Sequence, residues 1–142
     1  MRKDIFISVI GFLGACIAQL FGGWNTALAT LLICMTVDYI TGFAVAAVFK
    51  KSTKTQSGAL ASIVGFKGLC KKGMMLLIVL IAYRFDLTFN TAYIRDTVII
   101  AFIANEAVSI AENAGLMGVP LPKVLTKAID LLKNREEEGT EQ

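Results

Sequence analysis

The chain has no histidine, two prolines and three cysteines among its 142 residues. Histidine is the commonest general base and metal ligand, so its absence removes most catalytic and zinc-binding arrangements. Cys16, Cys34 and Cys70 are far apart in apolar surroundings, which is typical of small core residues and not of a disulfide framework. Little proline and no serine- or glutamine-rich stretch argue against a disordered chain. These absences exclude several classes of protein.

Charged residues are also scarce, at 18% of the chain, and their distribution is uneven. Between Ile5 and Phe49 the sequence has a single charged residue, Asp38. Soluble domains have about 25% charged and about 45–50% apolar residues, whereas this chain is 56% hydrophobic with a mean hydropathy of +0.67. A soluble domain of this size has too little interior to bury so long an uncharged stretch. The sequence therefore predicts an all-α, polytopic membrane protein.

Four apolar segments are candidates for membrane-spanning helices, which need about 17–25 residues. Ile5–Phe21 and Ala27–Phe49 supply 17 and 23 residues, and we expect them to form a tight transmembrane hairpin. The third candidate, 66–87, has a short apolar centre, which basic side chains reaching toward the headgroups can extend. The fourth, 93–110, contains several polar residues. We expect four transmembrane helices, with a shallow or re-entrant hairpin as the alternative for the last two.

The charges between the segments indicate an orientation. The segment from position 50 to 72 has six lysines and no acidic residue, and both terminal regions carry basic residues. Cytoplasmic loops are enriched in lysine and arginine, so the lysine segment and both termini are expected in the cytoplasm of a bacterium. Only an even number of crossings satisfies this. The lysines either have this topological role alone or also bind anionic lipids. The predicted membrane-surface basic loop comprises Lys50, Lys51, Lys54, Lys67, Lys71 and Lys72.

A different kind of segment follows the predicted membrane helices. Glycines and prolines between 115 and 122 end the fourth helix. From Lys123 to Arg135, apolar residues recur at helical spacing with basic residues on the other face. Such a helix either lies in the membrane interface or packs on the bundle or a partner. We therefore predict a transmembrane helical domain at 1–113, and a cytoplasmic amphipathic helix with an acidic tail at 114–142.

Asp38 and Glu106 are carboxyl groups within apolar segments and are the main candidate functional residues. An unpaired aspartate at the centre of a bilayer costs about 2.5–3.5 kcal/mol on insertion scales. Asp38 is expected to pack against a helix or line a lesion, to be a buried neutral carboxyl group, or to couple to an ion. Glu106 faces other helices or water, or lies near an interface. The candidate lesion-lining or helix-packing residues are Asp38, Gly42, Ala46, Asn105, Glu106 and Ser109.

The sequence places no further catalytic residues near these two carboxyl groups. A catalytic site needs a nucleophile, a base and a group that stabilises charge in the transition state. Neither Asp38 nor Glu106 has such residues or a glycine-rich phosphate loop nearby. We therefore expect no enzyme activity, no cofactor and no bound metal.

Four short motifs occur in a characteristic order. They are VDYITG at 37–42, GFKG at 65–68, NEAVSIAEN at 105–113 and GVPLPK at 118–123. In this combination the chain resembles the toxin secretion/phage lysis holin family, small membrane proteins of phages of Gram-positive bacteria and of some clostridial toxin loci. The resemblance extends over about positions 36–133, and Ile5–Leu20 matches only as an apolar helix.

The resemblance implies a protein that accumulates in the host cytoplasmic membrane, associates with copies of itself and opens lesions. An endolysin, or a toxin, would leave through them. The endolysin would be a functional partner without direct contact. Expected contacts are with membrane lipid and other copies, and none with nucleic acid. A small oligomeric membrane transporter or channel subunit is the alternative, because small size and intramembrane carboxyl groups fit that class as well.

Overall fold

The computed structural model describes residues 1–127 and Asp130, and these residues contain helices and turns without a strand. This confirms the prediction of an all-α protein. A π-helical segment at Val45–Phe49 continues the second helix without a break. The four α-helices are α1 at Arg2–Leu20, α2 at Thr26–Ala44, α3 at Ser62–Phe89 and α4 at Ile94–Leu116.

Two helices have the length and composition needed to cross a membrane. They are α1 and the continuous helix formed by α2 and the π-helical segment, Thr26–Phe49. Both coincide with the segments that the sequence predicts as a hairpin. Within the described chain, α3 and α4 are not among the helices that meet this criterion, and both carry several charged residues.

Helix α3 begins four residues before the predicted third segment, 66–87, and includes three of the six lysines of the predicted basic loop. Helix α3 begins at Ser62, so Lys67, Lys71 and Lys72 lie in a helix. The glycines in this stretch do not end the helix, because tertiary packing can offset the weak helix propensity of glycine. Gly65 lies beside Tyr39 of α2, where an added Cβ would be 3.5 Å from the Tyr39 hydroxyl oxygen. The lysines that remain in the connection between helices are Lys50, Lys51 and Lys54.

The hydrophobic core lies between α2, α3 and α4. On α2 and α3 the buried residues are three or four positions apart, the spacing that brings side chains to one face. The core cluster comprises Leu28, Leu31 and Met35 of α2, Met75 and Val79 of α3, and Ile99 of α4.

Helix α1 has no buried residue. Its large apolar side chains, such as Phe6 and Phe12, are exposed. Helix α1 therefore presents an apolar surface around its whole circumference.

The cysteines are not core residues, contrary to the sequence interpretation, since Cys16 and Cys70 are exposed.

Arg95 and Asp86 stabilise the turns at one end of the bundle through hydrogen bonds. The Arg95 guanidinium donates hydrogen bonds to the carbonyl oxygens of Gly22 at 3.1 Å and Gly23 at 3.4 Å. The Asp86 carboxylate accepts the backbone N–H groups of Ile94 at 3.0 Å and Arg95 at 2.8 Å. Asp86 thus satisfies donors that the first turn of a helix leaves unpaired. These bonds fix where α4 begins and hold the α1–α2 turn against it.

Candidate functional site

Three charged side chains meet inside the bundle, one each from α2, α3 and α4. The Lys72 ammonium donates a hydrogen bond to Asp38 Oδ2 at 2.7 Å and a second to Glu106 Oε2. The exposed fractions of the side chains are 9% for Asp38, 13% for Lys72 and 4% for Glu106. We refer to Asp38, Lys72 and Glu106 as the ion triad.

The ion triad continues the buried stripes of the three helices. Asp38 follows the core residue Met35 by three positions, and Lys72 precedes Met75 by three. Glu106 follows Ile99 by seven positions, which is two helical turns. The periodicity that buries the apolar side chains therefore also turns the charged ones inward.

Asp38 has further hydrogen-bond donors around it. The Asn113 side-chain amide donates to Asp38 Oδ1 at 3.1 Å and to Thr41 Oγ1 at 3.0 Å. Ser109 of α4 also interacts with the Asp38 carboxylate. Glu106 differs, because among the described residues its side chain has one hydrogen-bond partner, Lys72. The two carboxyl groups thus have unequal surroundings.

A cavity of about 100 Å³ reaches the ion triad from the end of the bundle opposite Arg95. Asp38 and Lys72 line it, together with Lys54 of the α2–α3 connection. Glu106 is not among the residues that surround this cavity in the described chain. Its walls are otherwise largely apolar, with side chains that include Tyr39, Phe43, Ala46, Leu60, Val64 and Leu116.

The chemical consequence of this arrangement is a strong electrostatic link between helices. Buried ion pairs add little net stability compared with a well-packed apolar core, but removal of one partner costs about 3–5 kcal/mol. The arrangement contains no nucleophile paired with a base. Among the described residues there is also no group of three or more His, Cys, Asp or Glu suited to a metal ion.

The structure brings together most of the predicted lesion-lining or helix-packing residues. Asp38, Glu106 and Ser109 meet at the ion triad, and Ala46 lines the cavity. Gly42 faces Asn113, whose amide nitrogen would lie 3.7 Å from an added Cβ. Asn105 is instead exposed and takes no part in this cluster. Whether these residues line a lesion stays a prediction.

The sequence interpretation did not identify the contacts of Lys72. It places Lys72 in a membrane-surface basic loop and also within the third candidate segment, 66–87, whereas the structure holds its ammonium between two carboxylates. A signal was present, because Lys72 extends the stripe of Met75 and Val79 toward the start of α3. Lys67 and Lys71 are exposed, and their predicted contact with a membrane surface stays a prediction.

The predicted C-terminal amphipathic helix is described only at its beginning. Residues 123–127 are helical, and the Leu125 N–H donates to the Pro122 carbonyl at 2.9 Å. Residues 128–129 and 131–142 lie outside the described residues, and so does the predicted acidic tail.

Comparison with known proteins gives a family match over most of the chain. A family model described as the bacteriophage holin family matches residues 15–134. An uncharacterised protein of Clostridium perfringens (strain 13 / Type A) is 37% identical over 126 residues, which is 87% of each chain. A probable holin of Bacillus phage phi105 is 29% identical over 126 residues, covering 88% of this chain and 87% of the relative. No solved structure matches significantly.

Proposed function

The chain belongs to the bacteriophage holin family, and from this premise we propose that it associates with copies of itself in the bacterial cytoplasmic membrane and opens lesions there. An endolysin, or a toxin, leaves the cell through these lesions. The observation on which this proposal rests is the family match over residues 15–134, a range that includes the whole ion triad. The similarity to a probable phage holin supports the same role.

The distribution of polar and apolar side chains supports a position in lipid. Several charged groups of α2, α3 and α4 are buried in the bundle, whereas large apolar side chains cover much of its outside. Large exposed apolar surfaces are unusual for a monomer in water and mark contact with lipid or other chains. The exposed apolar residues on α3 and α4 include Leu69, Leu77, Ile81, Phe85 and Ile100.

The same distribution supports four membrane crossings, although α3 and α4 carry charges. Lys72 and Glu106 neutralise part of each other's charge inside the bundle, while Asp86 and Arg95 are buried beside the turns. These four charged groups therefore do not face lipid, whereas Lys67, Lys71, Arg84 and Glu112 are exposed. Helix α3 has 28 residues, or about 42 Å at 1.5 Å per residue, and exceeds the ~30 Å hydrocarbon core. Four crossings put both termini and the lysine-bearing α2–α3 connection in the cytoplasm.

Lesion formation follows from rearrangement of this bundle when many copies accumulate. Helix α1 and the outer faces of the other helices offer apolar surfaces for association. Clustered copies exchange helix–helix contacts, and the polar side chains of the ion triad then face a shared, hydrated space. Polar groups are costly toward lipid and stable toward water, so the same residues hold the closed bundle and line the opened lesion.

Inducible expression in a bacterium tests this proposal. Culture density and membrane potential are followed with and without a co-expressed endolysin, and a culture with the endolysin alone is the control. We expect a delay, then an abrupt loss of potential, with lysis only where both proteins are present. Continued growth with a stable potential at confirmed membrane expression would contradict the proposal and favour a transporter or channel subunit.

A further inference from the structure

The three helices that form the ion triad have outer surfaces of unequal apolar length. The Lys72 ammonium contacts Asp38 on α2 and Glu106 on α4, so the triad marks one common height in the bundle. Distances along each helix can be counted from that height at 1.5 Å per residue. The outer surfaces differ on the side of this height that leads to the α2–α3 connection.

On α2 the apolar surface continues well beyond the ion triad. Between Asp38 and Phe49 the chain has no charged residue, and its exposed large side chains include Ile40, Phe43 and Val48. Phe49 follows Asp38 by 11 positions, or about 17 Å along the helix. In the proposed topology this length matches the cytoplasmic half of a ~30 Å hydrocarbon core. We refer to this outer surface as the α2 side.

On α3 and α4 polar groups appear on the outside at the height of the ion triad. Lys71 and Asn105 each stand next to a triad residue in the sequence, but both are exposed. Lys67 lies one helical turn nearer the connection, on the same face of α3 as Lys71. A lysine stem can carry its ammonium outward, whereas the Asn105 side chain is too short to do so. We refer to the outer surface with Lys67, Lys71 and Asn105 as the α3–α4 side.

The apolar surface of α3 is also limited at its other end, by the exposed Arg84. The exposed residues between Lys71 and Arg84 are Gly73, Met74, Leu77, Ile78 and Ile81. Lys71 and Arg84 are 13 positions apart, or about 20 Å along the helix. The hydrocarbon core of a bilayer is about 30 Å thick. The apolar surface of α3 is therefore shorter than the hydrocarbon layer around it.

We propose that the bilayer is thinner beside the α3–α4 side than beside the α2 side, because phospholipid headgroups of the cytoplasmic leaflet reach inward to Lys67 and Lys71. The ligand of this surface is the anionic phosphate of a phospholipid. None of the ion pairs in the described part of the chain involves either lysine, and basic side chains at a membrane surface attract anionic lipids. A short apolar stretch thins the bilayer around it.

The thinned region has a consequence for lesion formation and rests on the proposed function, which places four helices across the membrane. Headgroups and water reach the height of the ion triad on the α3–α4 side. A lesion that starts on this side therefore has less hydrocarbon to cross than one that starts on the α2 side.

Spin labels at two positions of equal height test the proposal. Cys70 on α3 and Ile40 on α2 are both exposed, and each lies two positions from a triad residue, toward the connection. The full chain is labelled singly at native Cys70 or at Ile40→Cys, with the other native cysteines replaced by alanine, in phosphatidylglycerol–phosphatidylethanolamine vesicles. Collisions with oxygen report hydrocarbon, and collisions with a water-soluble nickel chelate report the headgroup region.

We expect the label at Cys70 to collide mainly with the nickel chelate and the label at Ile40→Cys to collide mainly with oxygen. The double substitution Lys67→Leu and Lys71→Leu should shift the Cys70 label toward collisions with oxygen, because the headgroups lose their cations. Lys50→Leu with Lys51→Leu is the matched control. It removes the same charge from the connection and should leave the Cys70 label unchanged.

Three results would overturn the proposal. Equal depths at Cys70 and Ile40→Cys would show a bilayer of uniform thickness. A Cys70 label that neither agent reaches would show that another copy of the chain covers α3. An unchanged Cys70 depth after substitution of Lys67 and Lys71 would show that these lysines do not hold the headgroups.

The outcome is separable from that of the proposed function, because label depths do not depend on lysis. A third label at Leu77→Cys collides mainly with oxygen if α3 crosses the membrane, and its exposure to the nickel chelate would overturn both the topology and the thinned region. Unequal depths in a chain that never collapses the membrane potential support the thinned region and contradict the holin role. Collapse of the potential by a chain with equal depths has the opposite meaning.

Discussion

At the scale of single residues, Lys72 has the largest expected effect on stability. Lys72→Met leaves two buried carboxyl groups without their cation, and we expect a loss of about 3–5 kcal/mol in the free energy of unfolding. Lys71→Met is the matched control, because Lys71 is adjacent but exposed and should change stability by less than about 0.5 kcal/mol. Denaturant unfolding in detergent micelles measures both. Equal effects would show that the Lys72 ion pairs do not hold the helices together.

Alanine substitutions at Gly22 and Gly23 can distinguish the cost of backbone strain from the cost of steric crowding. Both have positive φ, at 84° and 88°, where a residue with a Cβ costs roughly 1–2 kcal/mol. At Gly22 the added Cβ would also lie 2.7 Å from two ring carbons of Tyr83, whereas at Gly23 nothing lies within 4 Å. We therefore expect Gly22→Ala to lower the thermal stability more than Gly23→Ala. Similar losses would mean that Tyr83 moves aside freely.

Asp38→Asn should change the timing of lysis more than the amount of protein in the membrane. The substitution keeps the shape of the side chain and removes the charge that pairs with Lys72, so the helices still insert but the balance between closed and opened states shifts. Lysis onset and membrane content are compared at equal expression, with Asp4→Asn as the control. Unchanged timing would remove Asp38 from the mechanism.

At the scale of elements, α1 and α4 should respond differently to the same substitution. Ile99 on α4 is 0% exposed and Ile10 on α1 is 54% exposed. Ile99→Ala leaves a cavity in the core and should cost about 2–5 kcal/mol. Ile10→Ala should change the free energy of unfolding by less than about 0.5 kcal/mol. A comparable loss at Ile10 would indicate that α1 packs against the bundle in the membrane.

The extent to which the sequence predicts these elements depends on how their charges are arranged. Thr26–Phe49 is nearly free of charge, so its length and composition alone indicate a spanning helix. The other two helices extend beyond the predicted segments 66–87 and 93–110, since α3 begins at Ser62 and α4 continues to Leu116. The lysines and glycines near the start of α3 do not reveal the packing that keeps it helical from Ser62. The π-helical segment Val45–Phe49 has no sequence signal that we recognise.

The arrangement of charges along the sequence also decides which residues of the candidate site could be predicted. An isolated carboxyl group in an apolar stretch is conspicuous, so Asp38 and Glu106 were identified. Lys72 was not, because it stands next to Lys71 and near Lys67, and a group of lysines resembles a solvated surface. Only the packing of three helices separates the buried lysine from its exposed neighbours. Asn105 and Glu106 are adjacent polar residues on α4, yet Asn105 is exposed and Glu106 is buried.

At the scale of the whole molecule, the proposed topology predicts the accessibility of its connections. Trp24 in the α1–α2 turn and Ser57 in the α2–α3 connection are both exposed. Trp24→Cys and Ser57→Cys are each made in a chain whose three native cysteines are replaced by alanine. A membrane-impermeant thiol reagent should label the Trp24→Cys chain in intact cells, and the Ser57→Cys chain only after the cells are opened. Labelling of both from outside would show that Thr26–Phe49 does not cross the membrane and would contradict the proposed topology.

The spacing of the ion triad has a consequence for the biogenesis of the protein. Asp38 and Lys72 are 34 residues apart, and so are Lys72 and Glu106. During synthesis, the helix bearing Asp38 is therefore complete before its cation has left the ribosome, and α4 arrives last with a second acid. An unpaired charge at mid-membrane is costly in free energy. The insertion machinery should accordingly retain α2 until α3 arrives, so that the two helices enter the bilayer as a pair.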